Sequence, residues 1–216
     1  MAPMTGTVIK DWSVHTAFTE YAGKTILVVG GTAGLGQAIA REASKNGCAK
    51  VTVVGRTLKD GEDAAKIQFV KADLSLMKEA KKIGETIEPA DVVVLTTGIL
   101  ASSERQVSEE GIEMDMAVSY LSRLTLLHYL VPRLPKGARV FIMGFPGSNQ
   151  TNYDVDDLNS EKSYKGGLSF VHVNTFVGNE ALVLDHAKKS SGDVTFYGLN
   201  PGLSEYYTFL IPLCFR

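Results

Sequence analysis

Three glycines in one short stretch have a spacing that can hold a phosphate group. The stretch VVGGTAGLGQAIA, at residues 28 to 40, contains Gly30, Gly34 and Gly36 between a β-branched run and an apolar helical run. In such a place one glycine permits a tight turn, one lets the backbone approach a pyrophosphate, and one lets helix and strand pack closely. The positive end of the helix would face the phosphates. The spacing G-x-x-x-G-x-G predicts a dinucleotide-binding loop, although G-x-G-x-x-G is the commoner form.

A glycine and an arginine follow the next β-branched run. The run VTVV at residues 51 to 54 leads directly into Gly55 and Arg56. In sites for NAD an acidic residue near this point accepts the ribose hydroxyls, whereas a planar guanidinium can grip a 2′-phosphate with two hydrogen bonds. Arg56 therefore favours NADP(H) over NAD(H). The alternative is that Arg56 is one more solvated surface charge.

Alternating strand and helix signals must position these residues. The pattern is typical of a Rossmann-like, doubly wound α/β domain with a mainly parallel sheet and helices on both faces. Helical spacing predicts helices over residues 34 to 46 and 112 to 131, the second with Met116, Tyr120, Leu124 and Leu127 on its apolar face. Short apolar runs predict six strands, at residues 25–29, 51–54, 67–70, 91–95, 139–143 and 194–197.

The loop GGTAGLG resembles that of the short-chain dehydrogenases/reductases, and the resemblance continues over about residues 25 to 203. Asp73 in VKADLS resembles the acidic residue that contacts the adenine ring. LTTGI at 95 to 99 stands at the family's Asn-Asn-Ala-Gly strand end, and NPG at 200 to 202 resembles its Pro-Gly turn near the nicotinamide. Three further stretches resemble those of a fungal subgroup of the family, whose members tend to act in secondary-metabolite pathways: LTTGIL, ERQVSEEGIE and DDLN.

Loop chemistry and resemblance together predict one NADP(H) site. The residues expected to bind the cofactor are Gly30, Thr32, Gly34, Leu35, Gly36, Arg56, Asp73, Thr97, Gly98, Pro201 and Gly202.

The catalytic residues that the resemblance implies are missing. Family members use a Tyr as proton donor, a Lys four residues later, a Ser on the substrate oxygen and an Asn that orders a water. None of the eight tyrosines here has a Lys at the fourth following position. In register, the Tyr and Lys positions fall on His172 and Phe176, the Ser position on Gly144 or Phe145, and the Asn position near Ala117. These substitutions indicate lost or altered chemistry.

His172 is the residue that we expect to replace the tyrosine. An imidazole can give or take a proton near neutral pH. A lone histidine on a helix can equally be structural. Other polar groups could also reach a substrate, although polar residues on a half-exposed helix or in a loop need no such role: Ser148, Asn149, Asn174, Thr175 and Asn179.

Composition narrows the classes of protein. The chain has 216 residues, 44% hydrophobic and 21% charged, and a net charge of −2, which predicts a single globular domain over residues 1–216 and argues against a nucleic-acid partner. Two cysteines and no basic start before an apolar segment predict a cytoplasmic protein. The apolar runs are too short for a membrane span, and histidine and cysteine spacing predicts no metal.

The two ends of the chain carry further expectations. Residues 1 to 22 read as an extended leading segment. Family members continue beyond the Pro-Gly turn through a substrate-covering helix pair and a seventh strand, whereas residues 203 to 216 are a short apolar tail. This tail could cover part of the substrate site in place of the missing elements. It could also form a contact in a homo-oligomer, or result from an altered gene model.

These observations favour an NADP(H)-linked reductase or dehydrogenase for a polyketide- or terpenoid-like small molecule, with a nonstandard proton donor. Two other classes stay open because a fold does not fix a function. One is a related enzyme without redox chemistry, such as an isomerase or cyclase. The other is a catalytically inactive cofactor-binding or scaffold protein.

Overall fold

The computed structural model describes residues 22–58, 67–144, 153–164 and 171–200. Six strands form one sheet in the order β3-β2-β1-β4-β5-β6, and every neighbouring pair is parallel. This is the predicted Rossmann-like sheet. The strands are β1 (Thr25–Val29), β2 (Lys50–Gly55), β3 (Ile67–Lys71), β4 (Val92–Leu95), β5 (Ala138–Met143) and β6 (Val194–Leu199).

The apolar runs form strands because both faces of the sheet are covered. In β1, Leu27 and Val29 pack into one buried cluster while Ile26 and Val28 pack into another on the opposite face. Alternate residues of a strand point to opposite faces, so a strand buried twice must be apolar throughout. β3 lies at one edge of the sheet beside β2, and it is only partly buried.

Helices occupy both faces of this sheet. They are α1 (Gly34–Lys45), α2 (Met77–Thr86), α3 (Met114–Met116), α4 (Ser122–Leu130) and α5 (Val171–Lys189), with short 3₁₀ turns at Val131–Arg133 and Val155–Asp157. α1 buries Ala40 and Ala43 against one cluster, whereas α2, α4 and α5 bury larger side chains in the other. None of the helices in the described ranges has the length and hydropathy to cross a bilayer.

The long helix predicted over residues 112 to 131 is interrupted. A π turn, Ala117–Leu121, separates α3 from α4 and adds a residue to the helical repeat. Of the predicted apolar face, Met116 and Leu127 are buried as expected, whereas Leu124 is not. Leu124 is 37% exposed, while Leu126 and Leu127 are fully buried. Regular spacing could not reveal this shift.

The parallel strands all end at the same edge of the sheet. β1 lies between β2 and β4. From β1 the chain first adds β2 and β3 on one side of the sheet and then adds β4, β5 and β6 on the other side. At such a reversal the loops after two neighbouring strands move apart and leave a crevice. The glycine loop after β1 and the LTTGI segment after β4 therefore flank one opening.

Candidate functional site

A cleft of about 1020 Å³ lies at this carboxyl edge. Its lining includes every described residue that the sequence predicts to bind a cofactor: Gly30, Thr32, Gly34, Leu35, Gly36, Arg56, Asp73, Thr97 and Gly98. Pro201 and Gly202 lie outside the described residues. The fold thus brings together groups that are spread over residues 30 to 98 of the chain.

The glycine loop lies close against the end of β4. Gly30 has a φ of +89°, and a Cβ atom there would stand 2.7 Å from the Thr97 amide nitrogen. A Cβ at Gly36 would stand 2.4 Å from the Gly30 carbonyl oxygen and from Thr96 Oγ1. Both contacts are far below a normal van der Waals distance, so these two positions require glycine. The loop, the start of α1 and β4 could not otherwise approach one another.

The first turn of α1 presents free space beside backbone amides. The helix begins at Gly34 after Ala33, whose side chain has no hydrogen-bonding atom to cap it. Among the described residues, none outside the helix's own backbone and the two chain neighbours comes within 4 Å of a Cβ built on Gly34, and Gly34 and Leu35 are exposed. The amides of a first helical turn and the helix dipole attract anions. This geometry fits a pyrophosphate group.

The charged and polar groups that follow β2 and β3 mark one end of the cleft. Arg56 is exposed directly after β2, and none of the described residues forms a salt bridge with it. Asp73 follows β3, and its Oδ1 accepts hydrogen bonds from the Ser75 amide at 3.0 Å and the Ser75 hydroxyl at 2.8 Å. A cation and a hydrogen-bonded carboxylate therefore lie at this end of the cleft. We call this the Arg56 end.

A buried arginine that the sequence analysis missed lies at the other end. Arg123 of α4 is 4% exposed. Its Nη1 donates to the Met143 carbonyl at 2.6 Å and to Asn179 Oδ1 at 2.9 Å, and its Nη2 donates to the Thr97 carbonyl. Its Nε also donates to Thr97 Oγ1 at 3.4 Å. One guanidinium thus joins the segments that follow β4 and β5 to α5.

Asn179 and Ser119 complete this buried network. Asn179 Nδ2 donates to the Ser119 carbonyl at 2.9 Å and to the Thr175 carbonyl at 2.7 Å. Ser119 Oγ donates to Asp115 Oδ1 at 2.6 Å and accepts from the Ile99 amide at 3.2 Å. Burial lowers the pKa of Arg123 to about 10, and Asp115 acts in the opposite direction. The guanidinium is therefore still a cation at neutral pH.

The positions expected to carry catalytic residues lie at this same end, which we call the Arg123 end. Gly144 and Phe176 line the cleft there. Ala117 is fully buried, and Ser119, two residues later, is the serine of this π turn that lines the cleft. His172 is the second residue of α5, one helical turn before Phe176, and its side chain lies outside the described residues. Phe145, Ser148 and Asn149 also lie outside them.

The sequence did contain a signal for the network. Arg123 interrupts an apolar helical run, YLSRLTLL. In such a run the arginine is either on a solvent-exposed face of the helix or buried with hydrogen-bond partners. Helix α5 is half-exposed as expected, and Asn174, Thr175 and Asn179 all lie on its buried face. Paired buried polar groups on two helices indicate a hydrogen-bonded contact, but only the fold shows which groups meet.

A family model described as short chain dehydrogenase matches residues 24–150, which include β1 to β5 and the loops on either side of the cleft. The chain belongs to the short-chain dehydrogenase family. Membership implies a nucleotide cofactor of the NAD(P) type. It does not distinguish NADP from NAD.

Relatives of this short-chain dehydrogenase agree with the match. It is 45% identical over 196 residues to "Uncharacterized oxidoreductase YKL107W" of Saccharomyces cerevisiae, covering 85% of this chain and 62% of that protein. It is 26% identical to oxidoreductase calI of Penicillium decumbens, covering 86% of this chain and 59% of that protein. Human retinol dehydrogenase 12 is also 26% identical, with 85% and 62% covered. The chain thus spans about three fifths of the length of these relatives.

Solved structures show the same fold. A protein of Mycobacterium paratuberculosis superposes with a TM-score of 0.72 at 21% identity, covering 87% of this chain and 72% of that one. A short-chain dehydrogenase/reductase from Serratia marcescens superposes with a TM-score of 0.63 at 17% identity, covering 89% and 83%. At these identities the likeness concerns the fold alone.

The Arg123 network predicts a large stability effect of Asn179→Leu. This change keeps the side-chain volume but leaves a buried guanidinium N–H and two carbonyl oxygens without their partner. We expect the free energy of unfolding to fall by about 2–3 kcal/mol, measured by urea denaturation. Asn46→Leu removes an exposed amide at the end of α1 and should cost less than about 1 kcal/mol. Equal effects of the two changes would contradict a stabilising network.

Proposed function

We propose that the protein is an NADP(H)-dependent oxidoreductase of the cytoplasm that acts on a polyketide- or terpenoid-like intermediate of secondary metabolism. The observation that carries this proposal is the cleft itself. Nine residues predicted from the sequence to bind a dinucleotide line one cavity at the carboxyl edge of the sheet. Their shared place supports the binding of a dinucleotide in this cleft.

In this proposal the nucleotide lies along the cleft. The loop from Gly30 to Gly36 binds the pyrophosphate with backbone amides, and Asp73 faces the adenine. Thr97 and Gly98 border the nicotinamide, and the family resemblance assigns Pro201 and Gly202 to the same part of the site. When bound, the nicotinamide supplies or accepts a hydride. The protein provides the orientation and excludes water from the Arg123 end.

An apolar substrate suits the side chains at the Arg123 end. Leu100, Met114, Val118 and Phe176 line the cleft near the expected nicotinamide position. A cavity surrounded by such side chains gains most from a ligand that buries apolar surface. Several relatives are named retinol dehydrogenases, and retinol is an apolar isoprenoid alcohol. These facts support a lipophilic alcohol or carbonyl compound as the substrate.

The proton for carbonyl reduction would come from His172. The position lies on α5 one turn before Phe176, which lines the cleft but has no proton to exchange. An imidazole acts as an acid without the lysine that a tyrosine donor requires. The non-redox and scaffold alternatives have less support, because relatives in yeast and in Penicillium are named oxidoreductases.

Two measurements on one sample separate these three functions. NADPH affinity is determined by calorimetry, and the absorbance of the reduced nicotinamide is followed with lipophilic ketones and aldehydes, retinal included. Binding with loss of absorbance supports the oxidoreductase. Product without loss of absorbance would support an isomerase or cyclase, and binding without any product would support a scaffold.

The exposed guanidinium after β2 predicts a preference for the phosphorylated cofactor. NADPH should bind more tightly than NADH, and Arg56→Ala should weaken NADPH by about 1.5–3 kcal/mol, or roughly tenfold to more than a hundredfold, with little change for NADH. Lys45→Ala removes an equal charge from the far end of α1 and should leave both affinities unchanged. Equal affinity of the unmodified protein for the two nucleotides would refute the role given to Arg56.

Loss of the imidazole tests the proposed acid. His172→Ala should lower the rate of carbonyl reduction by about 10²–10⁴-fold, the usual contribution of a general acid, while NADPH affinity stays unchanged. His128→Ala changes a histidine of α4 that packs on Tyr129 and serves as the control. Undiminished turnover in His172→Ala would show that the imidazole has no catalytic role.

A further inference from the structure

Charge is unevenly distributed along the cleft. Among the described lining residues the cationic side chains are Arg56 and Arg123, one at each end. Phe176 stands at the position where the family resemblance places a lysine. The Arg123 end therefore has a cation, but it comes from α4 and not from α5.

The guanidinium of Arg123 is held in place. Each of its three nitrogens donates to a described acceptor, namely the Thr97 carbonyl and hydroxyl, the Met143 carbonyl and the Asn179 amide. Two of these acceptors are backbone groups at the ends of β4 and β5, and the Asn179 side chain is itself bound to two carbonyl groups. A charge fixed in this way cannot turn away to solvent, so its field acts at a constant place.

The carboxylate that interacts with this charge is Asp115. Asp115 is fully buried and is bound by Ser119 Oγ, and it takes no part in the cleft lining. A Cβ atom at Gly98, which does line the cleft, would stand 3.9 Å from Arg123 Nη2. The positive member of this pair is thus the one that lines the cleft, beside Gly98.

We propose that Arg123 supplies a fixed positive charge to the Arg123 end and makes the cleft bind the reduced cofactor more tightly than the oxidised one. This inference rests on the proposed function. The oxidised nicotinamide ring carries a positive charge, whereas the reduced ring is neutral. A nearby cation repels only the former, so it biases the bound couple toward reduction of the substrate.

The test is the ratio of the NADP⁺ and NADPH dissociation constants, measured by calorimetry without any substrate. The ratio in the unmodified protein should exceed one. Arg123→Gln removes the charge but keeps an amide donor, and it should lower the ratio by roughly threefold to tenfold, as expected for one charge acting across a partly solvated cleft. Arg123→Lys keeps the charge and should retain most of the ratio.

Arg133→Gln is the matched control. Arg133 also binds two backbone carbonyls, those of Gly84 at 2.7 Å and Ile87 at 2.8 Å, but it lies away from the cleft lining. Its loss should change stability without changing the ratio.

Three results would overturn the inference in distinguishable ways. If Arg123→Gln binds both nucleotides with an unchanged ratio, the residue is only structural. If Arg123→Gln does not fold, equal affinities for NADP⁺ and NADPH in the unmodified protein overturn the inference without the variant. If the unmodified protein binds neither nucleotide, the proposed function fails, and the role of Arg123 fails with it.

Discussion

The contact between the glycine loop and the end of β4 is the constraint on which the rest of the site depends. A side-chain carbon at Gly36 would overlap the Gly30 carbonyl, and one at Gly30 would overlap the Thr97 amide. Without those two glycines, α1 would begin farther from the sheet. The amides of its first turn would then no longer line the cleft, and the crevice between β1 and β4 would change shape.

The two ends of the cleft are built on different physical principles. At the Arg56 end the charged groups are exposed and stand on short turns after β2 and β3, so solvent can rearrange around them. At the Arg123 end a buried cation is satisfied by strand-end carbonyls and an asparagine amide. Buried polar networks of this kind are costly unless complete, and when complete they hold one arrangement. The first end suits recognition of a flexible phosphate, and the second suits a fixed orientation of reacting groups.

The sheet and the glycine loop could be predicted from the sequence because their signals are local. A strand buried on both faces must be continuously apolar, and β1 was predicted with its observed bounds, Thr25–Val29. Gly30 and Gly36 follow from the spacing of a loop that leads from a strand into a helix. Such features depend on a few neighbouring residues and on no distant contact.

The π turn and the Arg123 network could not be predicted in the same way. The π turn shifts which side of α4 is buried without changing how apolar the segment is. Periodicity alone therefore predicted a buried Leu124, which is 37% exposed. Arg123 and Asn179 are separated by 56 residues and meet only when α4 and α5 pack over the ends of β4 and β5. The apolar residues around Arg123 indicate burial, but the sequence does not show which backbone carbonyls accept its hydrogen bonds.

The central claim is that this one cleft binds the nucleotide along its whole length. Hydrogen–deuterium exchange of the protein with and without NADPH tests it most directly, because backbone amides report binding without any turnover. Bound NADPH should slow exchange in the glycine loop at residues 30 to 36 and in the segment at residues 96 to 98, while α2 and β6 exchange as before. Unchanged exchange in both segments, or protection confined to α2, would contradict this account.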